Sequence, residues 1–185
     1  GQLGDGSTAN RIKPVQIIAS GVYAIAAGFY HSLLVKTDGS LWAMGNNTSG
    51  RLGDGTTTSR RTPVQIVISG VTAVAAGASH SLFIKTDGSL WAMGENAWGQ
   101  LGDGSNLYRQ APVMIVAGGV RAVAAGSGHS LFLKTDGSLW AMGNNTNGQL
   151  GDGTTTARRT PASIIASGVS GIGAGYLPSL MMDRD

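Results

Sequence analysis

This sequence predicts an all-β fold, a β-propeller of small four-stranded blades, and three observations predict it. Trp42, Trp91 and Trp140 stand 49 residues apart, as do His31, His80 and His129. Each 49-residue unit holds four short apolar runs in place of a long amphipathic one. Thirty glycines supply the many tight corners that short strands need.

Pro14, Pro63, Pro112 and Pro161 keep the same period, with no insertion or deletion between copies. The chain therefore reads as one repeat domain over 1–185, with units 1–49, 50–98, 99–147 and an incomplete 148–185, about 3.8 copies in all. A β-solenoid is the competing repeat architecture, but its coils are commonly shorter and more regular. With 42% apolar residues the chain has enough material for a core.

The first run of each unit follows the proline: PVQII, PVQIV, PVMIV and PASII. The second is VYAIAAG, VTAVAAG, VRAVAAG and VSGIGAG, whose small residues suit the crowded inner edge of a radial structure. The third is HSLLVK, HSLFIK and HSLFLK, and the fourth is LWAMG in each of the first three units. Between these two lies TDGS, where Asp-Gly at 38–39, 87–88 and 136–137 predicts a two-residue hairpin turn with both residues at positive φ. Leu82, Phe83 and Ile84 are consecutive, so both faces of this strand are expected to be covered, as in a sheet packed between two others. From GNN or GEN to the next proline runs a loop of about 16 to 18 residues whose recurring Gly, Asn and Thr predict internal order.

Composition removes several function classes. There is no cysteine, so neither a disulfide framework nor a thiolate metal site is available. A net charge of +3 with only 12% charged residues, and adjacent basic pairs only at Arg60-Arg61 and Arg158-Arg159, disfavours nucleic acid as a partner. No apolar run reaches the roughly 18 residues of a membrane span. The GDGS and GDGT loops lack the Lys-Ser/Thr ending of a phosphate loop and the ligand spacing of an EF-hand, and no cofactor motif appears.

The chemistry-bearing residues read first as architecture. His31, His80 and His129 each precede a serine, but neighbours along a strand point to opposite faces, and the three copies belong to separate blades. They are expected to bond across blades or to backbone, with no catalytic or metal role. Trp42, Trp91 and Trp140 are expected to pack within blades with the indole N–H satisfied. Asp5, Asp54, Asp103 and Asp152 are matched by Arg11, Arg60, Arg109 and Arg158, one pair per unit, which predicts local ion pairs or a rim of arginines. Partner-binding candidates are the residues that break the repeat: Trp98 where other copies have Ser49 and Asn147, Tyr108, Phe29 and Tyr30, together with Arg60 and Arg109.

The segment AAGxxHSLxxKTDGSLWAMGxNxxGxLGDG, at 26–55, 75–104 and 124–153, resembles the repeats of the regulator of chromosome condensation (RCC1-like) family. The resemblance implies a seven-bladed propeller. It also implies a range of functions, from nucleotide exchange on a small GTPase to light sensing, ubiquitin-ligase accessory domains and a secreted inhibitor. Three departures stand out: Met-Gly replaces the family's frequent Trp-Gly at 44–45, 93–94 and 142–143, Arg51 replaces the glutamine seen at Gln2, Gln100 and Gln149, and Pro178 stands where histidine is expected. The fourth copy otherwise keeps Gly175, Ser179, Leu180 and Asp185.

The fourth run occurs only three times, and both chain ends fall around a missing GSLWAMGNN. One chain is then expected to leave an open edge, either as part of a longer propeller or as one of two chains forming a seven- or eight-bladed ring, and self-association through blade edges is expected. With no clustered acid–base groups, the residues favour a noncatalytic protein-interaction scaffold that is not an enzyme. The alternative, drawn from the resemblance, is a guanine-nucleotide-exchange module; a propeller enzyme ranks last.

Overall fold

The computed structural model describes residues 1–183; Asp185, counted above among the residues the fourth copy keeps, lies outside the described residues. All regular structure is antiparallel β. The first sheet is β1 (Val22–Ala27), β2 (His31–Lys36), β3 (Leu41–Gly45) and β4 (Arg60–Val67) in that order. The second is β5 (Val71–Ala76), β6 (His80–Lys85), β7 (Leu90–Gly94) and β8 (Arg109–Val116), and the third is β9 (Val120–Ala125), β10 (His129–Lys134), β11 (Leu139–Gly143) and β12 (Arg158–Ile165). A two-stranded sheet, β13 (Val169–Ala174) and β14 (Ser179–Asp183), follows. The result is an open, unclosed partial propeller. No helix among the described residues is long and apolar enough to cross a membrane.

Each sheet takes its outer strand from the next sequence unit. The small-residue strands β1, β5, β9 and β13 neighbour one another and line the axis, while β4, β8 and β12 form the rim. Pro63, Pro112 and Pro161 fall inside these rim strands, where an edge position tolerates a residue without an N–H. The rim strands start three residues before the proline, earlier than expected, because the preceding Arg pairs with the glycine ending the third strand, as in Gly45 with Arg60. Residues 14–18, expected to be extended like the other copies, carry no strand. In those copies the equivalent run bonds to an LWAMG strand of the unit before, and no such strand lies ahead of residue 14 among the described residues.

The hairpins differ from the two-residue type expected. Among the described residues no non-glycine residue has positive φ, so Asp38 contributes differently, and within this turn Gly39 alone, at φ 76°, is left-handed. Gly39 N–H bonds to Lys36 C=O and Lys36 N–H to Ser40 C=O, both at 2.9 Å, which is a three-residue loop closed by a glycine bulge. Asp38 acts through its carboxylate, whose Oδ1 accepts the Ser40 N–H at 2.8 Å. The Gly39 carbonyl accepts the Val71 N–H at 2.9 Å, so this turn also fixes where the next blade begins. A Cβ at Gly39 would collide with the Gly70 backbone.

The core sits between blades. Leu33, Val35, Leu41 and Ala43 of the first blade, with Leu52 from its long loop, meet Val71, Phe83 and Met93 of the second. The same pattern joins Leu82, Ile84 and Leu90 to Val120, Phe132 and Met142, and then Leu131, Leu133 and Leu139 to Val169. Consecutive apolar residues in the third run are thus explained: Leu82 and Ile84 face forward while Phe83 faces back. Met93 and Met142, the departures from Trp-Gly, fill this layer and lie against Gly53 and Gly102 of the preceding loop.

Candidate functional site

The topology collects two kinds of connection on one face of the array. These are the inner loops 28–30, 77–79, 126–128 and 175–178, and the long loops 46–59, 95–108 and 144–157. Asn46 N–H bonds to Tyr30 C=O at 2.8 Å and Glu95 N–H to Ser79 C=O at 2.9 Å, which ties the two kinds together. The hairpin turns lie on the opposite face. Phe29, Tyr30, Trp98 and Tyr108 therefore share a face although they come from two types of loop and different blades.

Each long loop is built around a buried asparagine. In the second blade Asn96 Nδ2 donates to Asp103 Oδ1 at 2.9 Å and to Ser105 C=O at 3.0 Å, while its Oδ1 accepts the Leu101 N–H at 3.0 Å. Asn47 and Asn145 do the same in their own loops. These asparagines were missing from the candidate residues, yet their signal was present, since 47, 96 and 145 keep the 49-residue period.

The aspartates complete the loop. Asp54 Oδ1 accepts from Asn47, Thr56 N–H and Thr56 Oγ1, and Oδ2 receives the Arg60 guanidinium at 2.6 to 2.7 Å. Asp5, Asp103 and Asp152 pair likewise with Arg11, Arg109 and Arg158. Burial pushes Asp54 and Asp103 up, but the hydrogen bonds from the residue two positions on and from the arginine hold both below the usual range. Asp5 is lowered to about 2, first by the Ser7 hydroxyl and then by Arg11. Both oxygens are thus occupied by donors, and no group of three or more His, Asp or Glu side chains that could hold a metal occurs among the described residues. Arg60 and Arg109 are fastened to their loops by these pairs, with roughly a third of each side chain still in solvent.

The aromatic candidates are exposed. Trp98 and Tyr108 are about half exposed in one loop, with the Trp98 backbone N–H held by Gln100 Oε1 at 3.0 Å. Phe29 and Tyr30 pack edge to face with ring centres 4.7 Å apart. Phe29 also reaches a hollow of about 400 Å³ at the axis, bordered by Gly28, Gly77, Gly126, Gly175 and Tyr176.

The histidines lie below this face and join the blades. His31 Nε2 meets Ser81 Oγ, His80 Nε2 meets Ser130 Oγ, and His129 Nε2 meets Ser179 Oγ, at 2.9, 2.9 and 3.0 Å. Each serine spends its own proton on a loop carbonyl, Ser81 on Arg51 and Ser130 on Gln100 at 2.7 Å, so the imidazole must be the donor. That assigns the Nε2–H tautomer and leaves Nδ1 buried without a partner. Burial first, and nearby positive charge second, lowers His31 and His80 to about 3, and burial lowers His129 as well. Gly28, Gly77 and Gly126 are required here because a Cβ would occupy the space of the ring. The rings of Trp42, Trp91 and Trp140 donate Nε1–H to Ser40, Ser89 and Ser138 at 2.9 Å and lie under Lys36, Lys85 and Lys134.

Arg51 carries a charge where the other copies have Gln2, Gln100 and Gln149. It is 5% exposed, bonded to Ala78 C=O, Thr48 and Ser49, and its Nε has no partner. In the other copies Gln100 and Gln149 instead bind their own loop N–H groups.

The regulator of chromosome condensation (RCC1) repeat matches residues 38–84, 87–133 and 136–177, and a second description of the same repeat matches 22–51, 71–100 and 120–149. The chain belongs to the RCC1 repeat family. Among solved structures, Prp20p from Saccharomyces cerevisiae is similar over 100% of this chain and 50% of its own, at 20% identity and TM-score 0.87. Human WBSCR16 is similar over 88% of this chain and 44% of its own, at 27% identity and TM-score 0.77. Yeast RCC1 (Prp20) bound to Kap60 is similar over 91% and 43%, at 22% identity and TM-score 0.78. No curated protein matches the chain in sequence.

The chain spans about half the length of these solved relatives. The expectation of a noncatalytic scaffold is corrected by these matches: the repeats are RCC1 repeats, and Prp20p, one structure similar over the whole of this chain, was described with that protein's binding to Gsp1p and histones. The absence of acid–base clusters does not decide for a scaffold, because an effect exerted by binding a partner needs no such cluster.

Proposed function

We propose that this chain is part of a guanine-nucleotide-exchange module that contacts a small GTPase through its loop face. The match of the RCC1 repeat to three successive units carries the reading, and the likeness in fold to Prp20p supports it. Exchange makes and breaks no covalent bond. The module has to bind the nucleotide-free GTPase more tightly than the loaded one, and by linkage it then lowers nucleotide affinity by the same factor. Such work needs a firm surface with a few anchors, and aromatic residues and arginines are frequent anchors. Trp98 and Tyr108 stand half exposed on a loop whose base is held by the buried Asn96, Phe29 and Tyr30 stand half exposed on an inner loop of the same face, and Arg60 and Arg109 are oriented by Asp54 and Asp103.

The test is release of fluorescent GDP from a panel of small GTPases in excess unlabelled nucleotide. Release that accelerates in proportion to added chain supports the reading. A panel whose release rates are unchanged at saturating chain rejects it.

A further inference from the structure

We propose that the junction between the first and second blades carries a binding site for a guanidinium group. The chain holds such a group elsewhere in the same way. Each inner strand has one residue outside the ladder register, at a bulge near its start: Tyr23, Thr72, Arg121 and Ser170. A bulge re-aims the side chain it carries. Between the third blade and the last sheet, Arg121 reaches forward across the boundary. Its Nε donates to Lys134 C=O at 3.2 Å, and Nη2 donates to Val169 C=O at 2.9 Å and to Ser170 C=O at 3.2 Å.

The first junction presents the same carbonyl positions without the arginine. Lys36, Val71 and Thr72 stand two repeats before Lys134, Val169 and Ser170, and all three border a hollow of about 300 Å³ whose wall includes Tyr23, in the position of Arg121. A carbonyl oxygen has two lone pairs, and Lys134 C=O accepts the Gly137 N–H at 3.0 Å as well as the Arg121 Nε–H. Lys36 C=O accepts the Gly39 N–H at 2.9 Å and in the same way keeps one pair for a ligand. Tyr23 gives the hollow an aromatic ring, a surface on which guanidinium groups stack, and Asp38 gives it a carboxylate. A lysine ammonium lacks the planar fork that meets several carbonyls at fixed angles, so the site should prefer arginine.

The neighbouring lysine does not oppose a bound cation. The Lys36 ammonium lies over the Trp42 ring at 4.2 Å, and Lys134 lies over Trp140 at 4.5 Å in the junction that Arg121 fills. A lysine in this place therefore coexists with a guanidinium. The hollow lies inside the array, between Thr37, Asp38 and Gly39 of the first blade and Gly70, Val71 and Thr72 of the second. Tyr23 is 66% exposed, but Thr72 and Arg121, whose blades have neighbours on both sides, are exposed too, so its exposure belongs to the bulge position. The site opens on the hairpin side, away from the loops proposed to contact a GTPase.

Amide chemical shifts of the isotope-labelled chain, titrated with acetyl-Gly-Arg-Gly-amide, with free L-arginine and with acetyl-Gly-Lys-Gly-amide, test this. Saturable shifts are expected at Thr37, Thr72 and Ala73, the amides next to the three carbonyls, with several-fold weaker binding of the lysine peptide. Binding by the arginine peptide alone assigns the group to a protein side chain, binding by the free amino acid alone assigns it to a small molecule, and each supports the site. No saturable shift with either up to ~20 mM, past the range of weak millimolar affinity, overturns the proposal. A lysine peptide as effective as the arginine peptide overturns it too. Tyr23→Arg copies the third blade into the first and is expected to abolish the shifts by filling the hollow from within. Tyr23→Thr copies the second blade, removes the ring and keeps the carbonyls; it should weaken binding by roughly two- to fivefold, the scale of an exposed cation–π contact. Affinity untouched in both variants contradicts the assignment. The position is in solvent, so thermal unfolding of neither variant should fall below the parent.

Discussion

His80 in the second blade donates its Nε2–H to Ser130 in the third at 2.9 Å, and both side chains are fully buried. The bond spans 50 residues of sequence and recurs from His31 to Ser81 and from His129 to Ser179. Replacing His80 by Ala removes a buried ring that Gly77 is shaped to receive and orphans a serine acceptor. A loss of about 2 kcal/mol or more is expected in urea unfolding, from the cavity and the bond together. A loss below about 0.5 kcal/mol, the scale of a surface change, contradicts the assignment.

The same histidines set a pH response. His31 and His80 titrate near 3 in the fold and near 6.5 when unfolded, so between these values the unfolded chain binds more protons. Their contribution is fully present above pH 6.5 and is lost as pH falls toward 3. Each contributes a slope of up to about 1.4 kcal/mol per pH unit in that window. The lowered aspartates act in the same direction but only below their ordinary range near 3.8. Unfolding free energy measured from pH 7 to 4.5 should therefore decline, and His80→Phe should show a shallower decline; equal slopes exclude His80 as a source.

Arg51 offers a stabilising substitution. Its guanidinium is buried, desolvated and carries an unpartnered Nε, where Gln100 and Gln149 bind a loop N–H. Arg51→Gln is expected to raise stability by about 1 kcal/mol, on the scale of removing one unsatisfied buried donor. A lower denaturation midpoint in the variant runs against this reading.

Asn96→Asp changes one atom of the loop hub. It replaces the donor facing Asp103 Oδ1 at 2.9 Å with a second acceptor, so two carboxylates meet where a hydrogen bond stood. Destabilisation of at least about 2 kcal/mol is expected, together with faster amide exchange at Leu101 and Ser105. Exchange unchanged at those two amides argues that the hub is dispensable.

Much of this architecture was legible in the sequence. The 49-residue spacing of Trp42, Trp91 and Trp140, the apolar run at 82–84 and the small residues of the inner strand are local patterns, and blades are local structures. Bonding of the histidines across blades was among the expectations, but serine as the partner was not legible, because it depends on how one blade stands against the next, and a strand pattern carries no information on that rotation. The hairpin was read through its Asp-Gly composition, but Asp-Gly also suits a three-residue loop closed by a glycine bulge, in which Gly39 takes positive φ and Asp38 acts through its carboxylate. Trp98 and Tyr108 stood out as breaks in the repeat, and the fold places them on the face where Phe29 and Tyr30 also emerge. The buried Asn96 was passed over because residues that recur in every copy read as loop composition.

The central functional claim turns on differential binding. The most direct measurement is the affinity of the chain for one small GTPase in its nucleotide-free and GDP-loaded forms, for the parent and for Trp98→Ala combined with Tyr108→Ala. The account predicts tighter binding of the nucleotide-free form by tenfold or more, about 1.4 kcal/mol, and loss of most of that preference in the double variant with unfolding unchanged. Equal affinity for the two forms contradicts it.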